Sequence, residues 1–360
     1  MSEMTTDLGR LLDLDFSPPR WVDTSGIGVT PPFTVVDLCC GSGGFTLGFA
    51  SAGFVPLLGI ESDRWAAETY HRNLLDVPLL ESSVERLADA AISDATGGRP
   101  VDVVCAGLPC PGFSTNGLQR ADDERNWLFT QLGRVVGLLQ PHVVAIENVP
   151  AIESCHDGVF GRWIAATLKD LGYTTVSLEV LNAAAYGVPQ RRKRAVIVAN
   201  RSGVRNPYPV PILSEPFFRT VDAAIGDLRG LPQGAAANHI WPVSRVPEKI
   251  AATPPGGSVS TFRGGCRRLR GDRPACTVTA NHGRPHLHPH LHRTLSVREM
   301  ARLQGFPDSF VFEGGISAQQ DQVANAIPPP LAEHVALAVR VLLDEVVAGG
   351  PMESPTDGGC

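Results

Sequence analysis

Two residues with the chemistry of a catalytic pair follow successive apolar segments. Cys110 lies in Gly-Leu-Pro-Cys-Pro-Gly-Phe-Ser, directly after the apolar run 101–106. Glu147 ends the next apolar run, in Glu-Asn-Val-Pro. A cysteine thiolate beside a carboxylic acid suits attack on an activated ring, because the acid can donate a proton as the sulfur adds. The alternative is a buried structural cysteine and a helix-capping glutamate, and the spacing alone leaves both interpretations open.

A glycine-rich segment upstream has the pattern of a nucleotide site. Residues 33–39 form an apolar run that leads into Gly41-Ser42-Gly43-Gly44-Phe45, where glycines let the backbone approach a nucleotide closely. The next apolar run ends in Ile60-Glu61, and an acid at a strand tip is placed to bind ribose hydroxyls. The segment is not a GxGxxG motif, so we expect an adenosine-containing cofactor rather than a dinucleotide. Packing alone could also explain the glycines.

Alternating apolar and helical segments must position these residues. Continuous apolar strands that alternate with helices predict an α/β fold, with a doubly wound, mostly parallel sheet buried on both faces. Such sheets bind ligands at the carboxyl ends of their strands, where Cys110 and Glu147 would both lie. The predicted strands are 33–39, 54–60, 101–106, 142–146, 174–181 and 195–199, and the predicted helices include 63–74, 126–139 and 158–171.

The alternating pattern stops near Asn200 and a helical pattern resumes near Leu295. The segment between them is rich in proline and glycine, and it predicts a smaller, loop-rich second domain. We expect a poorly ordered leader (1–32), a catalytic and cofactor-binding domain (33–200 plus 293–348), a target-recognition domain (201–292) and a disordered tail (349–360).

Charge is distributed unevenly along the chain. The formal net charge is −6, yet residues 261–293 contain seven arginines and one acid, and residues 190–194 contain four more basic residues. An acidic protein with a concentrated basic stretch can still bind phosphates locally. The alternative is a solvated arginine-rich loop.

The remaining composition predicts an intracellular protein without a metal site. The eight cysteines form no CxxC pair, so we interpret them as free thiols in a reducing compartment and expect no structural zinc. The chain has no run of 18 apolar residues and no signal-peptide pattern, so we expect no membrane association and a cytoplasmic location. Five histidines between residues 282 and 292 alternate with other residues, which is not a zinc spacing, and we expect a polar loop there.

Seven motifs occur in one order. They are DLCCGSGGF, IE, GLPCPGFS, ENV, QRRKR, REMARLQGFP and QVANAIPPP. In this order the chain resembles the cytosine-5 DNA methyltransferases from about residue 34 to 341, with an interruption between about 200 and 274. The resemblance implies a Rossmann-like methyltransferase with S-adenosylmethionine as cofactor and double-stranded DNA as substrate, and we expect a monomer. Whether a cognate restriction endonuclease is a partner stays open at this point.

The resemblance also implies roles for individual residues. A flipped cytosine enters a pocket, Cys110 adds to carbon 6, and carbon 5 then takes the methyl group. Glu147 matches the acid that holds ring nitrogen 3, and Arg192 and Arg194 match arginines around the cytosine O2 and the nucleophile. The implied cofactor residues are Asp37, Leu38, Cys39, Gly41, Gly43, Gly44, Phe45, Glu61, Ser62, Ser83, Val84, Pro109, Leu128, Asn325 and Ala326. The expected DNA-binding residues are Ser114, Arg263, Arg267, Arg268, Arg270 and Arg273.

Four positions depart from the family pattern. Pro111 stands where glutamine is usual, Cys39 replaces an aromatic residue, Ser83 replaces an acid, and Ala324 replaces a glycine. None removes a catalytic atom, but they bear on cofactor affinity and loop closure. Two alternatives stay open at this point. One is an RNA methyltransferase of the same chemistry, which the Gly-Phe-Ser after the nucleophile disfavours. The other is a catalytically silent DNA-binding paralogue, which the retained catalytic set disfavours.

Overall fold

A computed structural model of the protein describes residues 14–28, 32–108, 128–154, 158–244, 246–261, 264–279 and 286–348. In chain order the strands are β1 (Arg20–Val22), β2 (Thr34–Leu38), β3 (Val55–Glu61), β4 (Leu79–Glu81), β5 (Val103–Gly107), β6 (Val143–Asn148), β7 (Thr175–Asn182), β8 (Gln190–Arg191), β9 (Lys193–Asn200), β10 (Pro207–Pro209), β11 (Ser258–Thr261), β12 (Gly264–Arg268), β13 (Ala275–Cys276) and β14 (His286–Leu287).

The α-helices are α1 (Gly44–Ser51), α2 (Arg64–Asn73), α3 (Asp89–Ala95), α4 (Leu128–Leu139), α5 (Val159–Asp170), α6 (Val221–Ile225), α7 (Pro247–Ala251), α8 (Val297–Gln304), α9 (Ile316–Asn325) and α10 (Pro329–Ala348). No helix among the described residues is both long enough and apolar enough to cross a membrane.

A seven-stranded sheet of order β4-β3-β2-β5-β6-β9-β7 forms the centre of the molecule. Neighbouring strands run parallel except β9, which is antiparallel to both β6 and β7. The connection from β7 to β9 contains only a 3-10 turn and β8, which is too short for the helical crossover that a parallel pair requires. The predicted doubly wound, mostly parallel sheet is confirmed, and all six predicted strands lie within two residues of observed ones.

Helices cover both faces of this sheet. Val104 and Ile146 pack with residues of α4 and α5 in one core, whereas Val103 and Ala145 pack with α1 and α10 in another. Successive strand residues point to opposite faces, so strands covered on both sides must be apolar throughout. Because β2, β3, β5 and β6 run parallel, their carboxyl ends meet at one edge of the sheet, and the site lies at that edge.

Part of the expected leader belongs to the fold. β1 pairs in parallel with β10, the Ser17 amide donates to the Val176 carbonyl at 2.7 Å, and Arg20 makes a two-bond ion pair with Glu345 at 2.8 and 3.0 Å. The expectation of a poorly ordered segment over 1–32 is wrong for residues 14–28. A three-residue strand carries no periodic signal, and its partner lies far along the chain. Residues 1–13 and the tail at 349–360 lie outside the described residues.

A further apolar core lies beside the sheet. It unites Ile225 and Val278 with Met300 on α8, and with Phe306 and Phe312 beyond it. α8 starts at a capping box in which the Ser296 hydroxyl accepts from the Glu299 amide and the Glu299 carboxylate accepts from the Ser296 amide. This core spans the predicted boundary at 292/293, because α8 packs against the segment before it. The division into two domains stays a proposal.

Candidate active site

A cavity of about 720 Å³ opens at the carboxyl edge of the sheet. Asp37, Glu61, Gly107 and Glu147 line it from the ends of β2, β3, β5 and β6, and α9 closes one side with residues that include Asn325. Four parallel strands thus bring residues from their carboxyl ends to one space, as the topology requires.

Glu147 and Arg194 form a buried ion pair at the cavity wall. The Arg194 Nε lies 2.6 Å from the Glu147 Oε1, and the two side chains are only 11% and 9% exposed. Burial lowers the pKa of the Arg194 guanidinium, and the adjacent carboxylate partly raises it again. A carboxyl group that a cation holds in place at a cavity wall can form hydrogen bonds with a polar ring in the cavity. Glu147 can therefore act as an acid, and Arg194 orients it.

Glu61 organises the glycine-rich turn. Its Oε2 accepts from the Gly41 amide at 2.8 Å, and its Oε1 accepts from the Ser62 and Asp63 amides at 2.7 Å each. The backbone beyond β2 is left-handed at Cys39 (φ 55°), which is uncommon for a residue with a Cβ. The carboxylate therefore holds a tight turn against the end of β3 and faces the cavity at the same time.

Two positions of this turn require glycine for different structural reasons. Gly43 has φ 95° and lies against Leu74, where a Cβ would come within 2.7 Å of that side chain. Gly44 begins α1, and a Cβ there would lie 2.6 Å from the Ile327 carbonyl oxygen. Gly44 lines the cavity, whereas Gly43 does not. The glycines thus serve close packing as well as access to a ligand.

The described thiols at the cavity are poor nucleophiles. Burial raises the pKa of Cys39 and Cys40, which line the cavity, and of Cys105 beneath them. The raised pKa keeps these thiols protonated. They are therefore poor nucleophiles, because the thiolate is the reactive form of cysteine.

Asp37 is a buried carboxyl group at the cavity. Its Oδ2 accepts from the Thr46 amide at 3.0 Å and from the Thr46 hydroxyl at 2.7 Å, but burial still raises the pKa of this carboxyl to about 7.

Most of the expected cofactor residues meet at the cavity. Leu38 and Gly43 do not line it: Leu38 lies in the sheet's hydrophobic core, and Gly43 packs against α2. Cys110, Pro109 and Ser114 lie outside the described residues. The expected residues that do line the cavity are Asp37, Cys39, Gly41, Gly44, Phe45, Glu61, Ser62, Ser83, Val84, Leu128, Asn325 and Ala326.

Arg192 does not line the cavity, although it was expected near the reacting base. Its guanidinium donates to the carbonyls of Val278 (3.2 Å), Ala324 (2.6 Å) and Ala326 (3.0 Å), and the residue is 1% exposed. Burial and the nearby charge of Arg194 lower its pKa well below the usual value. Arg192 therefore positions backbone around the cavity, and Arg194 is the arginine that faces into it.

Helix α9 supplies lining residues that we did not single out from the sequence. Ser317, Ala318 and Asp321 line the cavity together with Asn325, which was expected there. Ser317, Asp321 and Asn325 follow one another at intervals of four residues, and Ala318 lies three residues before Asp321, so all four lie on one face of the helix. Helical spacing from Asn325 could have predicted these positions, but no catalytic motif marks them.

The basic stretch divides into buried and exposed arginines. Arg268 is 4% exposed and donates to four backbone carbonyls, those of Ile250, Thr253, His288 and Leu291, at 2.5–2.7 Å. It was expected to bind DNA, but in this structure the residue is buried and its guanidinium nitrogens donate to backbone carbonyls. Arg267 is exposed, Arg270 and Arg273 are exposed and pair with Asp272, and Arg263 lies outside the described residues.

The described histidines of the nearby cluster make structural contacts. The His286 Nε2 is 2.9 Å from the Thr277 carbonyl oxygen, and the His288 Nδ1 accepts from the His290 and Leu291 amides at 3.1 Å. Burial lowers the pKa of His288 to about 4. Within the described part of the chain, no group of three or more histidine, cysteine or acidic side chains is arranged to hold a metal ion. His282 lies outside the described residues.

Comparisons with known proteins agree with this architecture. A family model described as C-5 cytosine-specific DNA methylase matches residues 33–245 and 247–340. The Type II methyltransferase M1.HphI of Haemophilus parahaemolyticus is 39% identical over 327 residues, which covers 85% of this chain and 86% of the relative. The Type II methyltransferase M.Eco47II of Escherichia coli is 33% identical over 354 residues, which covers 91% of this chain and 83% of the relative.

Solved structures match the fold as well. The Dnmt2 methyltransferase of S. pombe superimposes with a TM-score of 0.62 at 16% identity, covering 87% of this chain and 99% of that one. An E. coli protein described as a prophage-encoded DNA modification methyltransferase gives a TM-score of 0.72 at 24% identity, covering 87% and 99%. At these identities the likeness concerns the fold.

Proposed function

The chain belongs to the C-5 cytosine-specific DNA methylase family, and from that premise we propose that it transfers a methyl group from S-adenosylmethionine to carbon 5 of a flipped-out cytosine in double-stranded DNA, through a covalent Cys110 adduct. The observation that carries this proposal is the buried Glu147–Arg194 pair at the wall of a cavity that also presents Glu61. Acid, orienting cation and nucleotide-binding carboxylate meet in one space at the end of the sheet.

The position of Cys110 in the sequence supports its proposed role as the nucleophile. Gly107 and Leu108 line the cavity, and Cys110 follows two residues later. Two residues span at most about 7 Å of extended chain. The Cys110 sulfur forms a bond to carbon 6 of the cytosine, and the carbon 5–carbon 6 electron pair moves to carbon 5. Glu147 holds ring nitrogen 3, where the developing charge is accepted, and Arg194 keeps the Glu147 carboxyl in place.

The ring returns to aromaticity in the second half of the reaction. Carbon 5 would form a bond to the methyl carbon as the bond from that carbon to the sulfonium sulfur breaks, with its electron pair staying on that sulfur. A base would then remove the carbon 5 proton, the electron pair of that bond would re-form the carbon 5–carbon 6 double bond, and the carbon 6–sulfur bond would break with its electrons returning to Cys110. S-adenosylmethionine supplies an electrophilic methyl group on a sulfonium centre. The chain's contribution is to hold the base out of the DNA stack, orient it and exclude water.

The donor groups of the cavity fit this cofactor. Asp37, Glu61, Asp63, Glu147 and Asp321 line it with carboxyl groups, and Arg194 is the cationic side chain among the described lining residues. An acidic wall suits a cofactor that carries a sulfonium and an ammonium group. Glu61 at the tip of β3 is placed to hold the ribose hydroxyls.

We expect Glu61→Ala to weaken cofactor binding while DNA affinity is retained. Losing a charged acceptor for two hydroxyls costs about 1.5–3 kcal/mol, which is a roughly 10- to 150-fold rise in Kd. Titration calorimetry with S-adenosylhomocysteine measures this. Glu81→Ala is the matched control, because Glu81 pairs with Glu61 in register but is exposed and does not line the cavity. Unchanged affinity in Glu61→Ala would remove Glu61 from the site.

Neighbouring arginines of β12 should give opposite results. Arg267→Ala removes an exposed cation, so we expect normal stability. The slope of the logarithm of the DNA-binding constant against the logarithm of salt concentration should become less steep by about one unit. Arg268→Ala removes the donor from three buried carbonyls and one part-buried carbonyl, so we expect a loss of about 2–4 kcal/mol in the free energy of unfolding. DNA binding at two salt concentrations, with chemical denaturation of each variant, separates the two. The same scan at Arg263, Arg270 and Arg273 tests whether they bind phosphates or read bases.

Two assays test the function directly. Transfer of tritiated methyl groups to genomic DNA but not to tRNA is expected, and transfer to tRNA alone would contradict the proposal. Bisulfite sequencing of a host without its own cytosine methylation, expressing this chain, should reveal methylation confined to one short sequence. We further propose a monomer in the cytoplasm, with a restriction endonuclease of the same recognition sequence as its partner, as the Type II relatives suggest.

A further inference from the structure

Three buried side chains form a continuous polar cluster between the sheet and α8. The Gln190 Nε2 donates to the Gln304 Oε1 at 2.6 Å and to the Leu303 carbonyl at 3.0 Å. Arg192 lies two residues after Gln190 and is 1% exposed, while both glutamines are 0% exposed. We call Gln190, Arg192 and Gln304 the buried polar cluster.

One side of this cluster holds residues 275–279, which follow the arginines expected to bind DNA and which we call the recognition segment. The Val278 amide donates to the Gln190 Oε1 at 2.7 Å, and the Val278 carbonyl accepts from the Arg192 Nη1 at 3.2 Å. Just before Val278, β13 pairs with β8, with Ala275 opposite Gln190. Both backbone groups of Val278 are therefore bonded to side chains of the cluster, which joins the end of the basic stretch to the catalytic sheet.

The other side holds the rim of the cavity. The Ala326 carbonyl accepts from the Arg192 Nη2 at 3.0 Å and from the Gln304 Nε2 at 2.5 Å, and the Ala324 carbonyl accepts from the Arg192 Nη2 at 2.6 Å. Ala324 and Ala326 both line the cavity. Two residues after Arg192, the same chain segment carries Arg194, the partner of Glu147. The cluster thus bonds to the recognition segment and to the cavity rim, and the chain segment that carries it continues into the catalytic pair.

We infer that the buried polar cluster couples cofactor binding to the conformation of the DNA-recognition segment, with Gln304 and Gln190 as positioning residues. The inference rests on the proposed function of the cavity. The three side chains of the cluster are at most 1% exposed, so a shift of the 324–326 backbone must either move Val278 with it or break hydrogen bonds that these buried side chains make. A ligand at the cavity rim that biases this backbone therefore biases the recognition segment as well.

Amide hydrogen exchange of residues 275–279 reads this coupling directly, because the Val278 amide is itself bonded to Gln190. With saturating S-adenosylhomocysteine, we expect exchange at these amides in the wild-type protein to slow by at least about fivefold. In Gln304→Met we expect S-adenosylhomocysteine still to bind, as measured by calorimetry, while the slowing falls to less than twofold.

Gln319→Met is the matched control. Gln319 is also a buried glutamine whose side chain makes two hydrogen bonds, with Gly314 and Asn238, but it does not line the cavity and neither bond involves the cluster. The slowing should persist in this variant. Arg192→Lys provides a second test if Gln304→Met does not fold, because lysine keeps the charge but cannot reach three carbonyls at once.

The outcomes are distinct. Wild-type protein that binds S-adenosylhomocysteine without any slowing at 275–279 overturns the coupling and leaves the proposed function standing. A folded Gln304→Met or Arg192→Lys variant that keeps the full slowing also overturns it. Failure of wild-type protein to bind S-adenosylhomocysteine overturns the proposed function itself, and the coupling with it.

Discussion

Cys110→Ser is expected to abolish methyl transfer while DNA and cofactor affinities stay within about twofold of wild type. A serine hydroxyl is a far poorer nucleophile than a thiolate near neutral pH, so we expect turnover to fall by about a thousandfold or more, equivalent to about 4 kcal/mol of activation free energy. The measurement is tritiated-methyl transfer to DNA, together with trapping on DNA that contains 5-fluorocytosine. The wild-type protein should form a covalent adduct, and the variant should form none.

Cys360→Ser is the control for this experiment. Cys360 is the last residue of the chain and lies outside the region that the family model matches. The Cys360→Ser variant should transfer methyl groups and form the adduct at the wild-type level. The burial-raised pKa values of Cys39, Cys40 and Cys105 indicate that no described thiol at the cavity could replace Cys110. Retention of more than a tenth of normal activity in Cys110→Ser would refute the assignment.

Glu147→Gln is expected to reduce turnover by about 10²- to 10⁴-fold, the range typical of a lost acid–base group. Glutamine preserves the size of the side chain but can neither carry a proton to the ring nor form the ion pair with Arg194. Arg194 is nearly buried, so the variant also leaves a cation without its partner, and some loss of thermal stability accompanies the loss of activity. Steady-state methylation, with a parallel thermal denaturation, measures both effects.

Glu153→Gln separates the two effects. Glu153 follows Glu147 closely in the chain, but it is exposed and does not line the cavity. It should methylate DNA normally. Assays well below the unfolding temperature of Glu147→Gln show whether the residual loss concerns chemistry. If that variant, fully folded, turned over within tenfold of wild type, Glu147 would not be the acid.

The motif residues of the site were largely predictable because they follow strands. Glu61 and Glu147 each end an apolar run, and a parallel sheet brings such ends to one edge whatever the loops between them do. Ser317 and Asp321 were not predicted, because α9 reaches the cavity only through its packing and its sequence resembles that of any polar helix. The sequence thus predicts the site residues at the ends of strands, but it does not predict those that a distant helix brings to the cavity.

The segment with many arginines shows where composition is insufficient. Seven arginines in residues 261–293 suggested one DNA-binding surface. Arg267 and Arg268 are adjacent in β12, yet the first is exposed and the second is bonded to four carbonyls. Adjacent strand residues point to opposite faces, but which face is covered depends on what packs there. Charge counts cannot separate the two roles.

The sequence by itself determined the α/β class, the six main strands and the strand-end positions of Glu61 and Glu147, because hydrophobic periodicity is a local property. Only the tertiary structure decided that β1 joins the fold through β10, that Arg194 faces the cavity and that Arg192 is bonded to Val278, Ala324 and Ala326. Those facts depend on pairing between residues far apart in the chain. Such pairing is selected by the burial and hydrogen bonding of the whole molecule, and it leaves no periodic signal in any one segment.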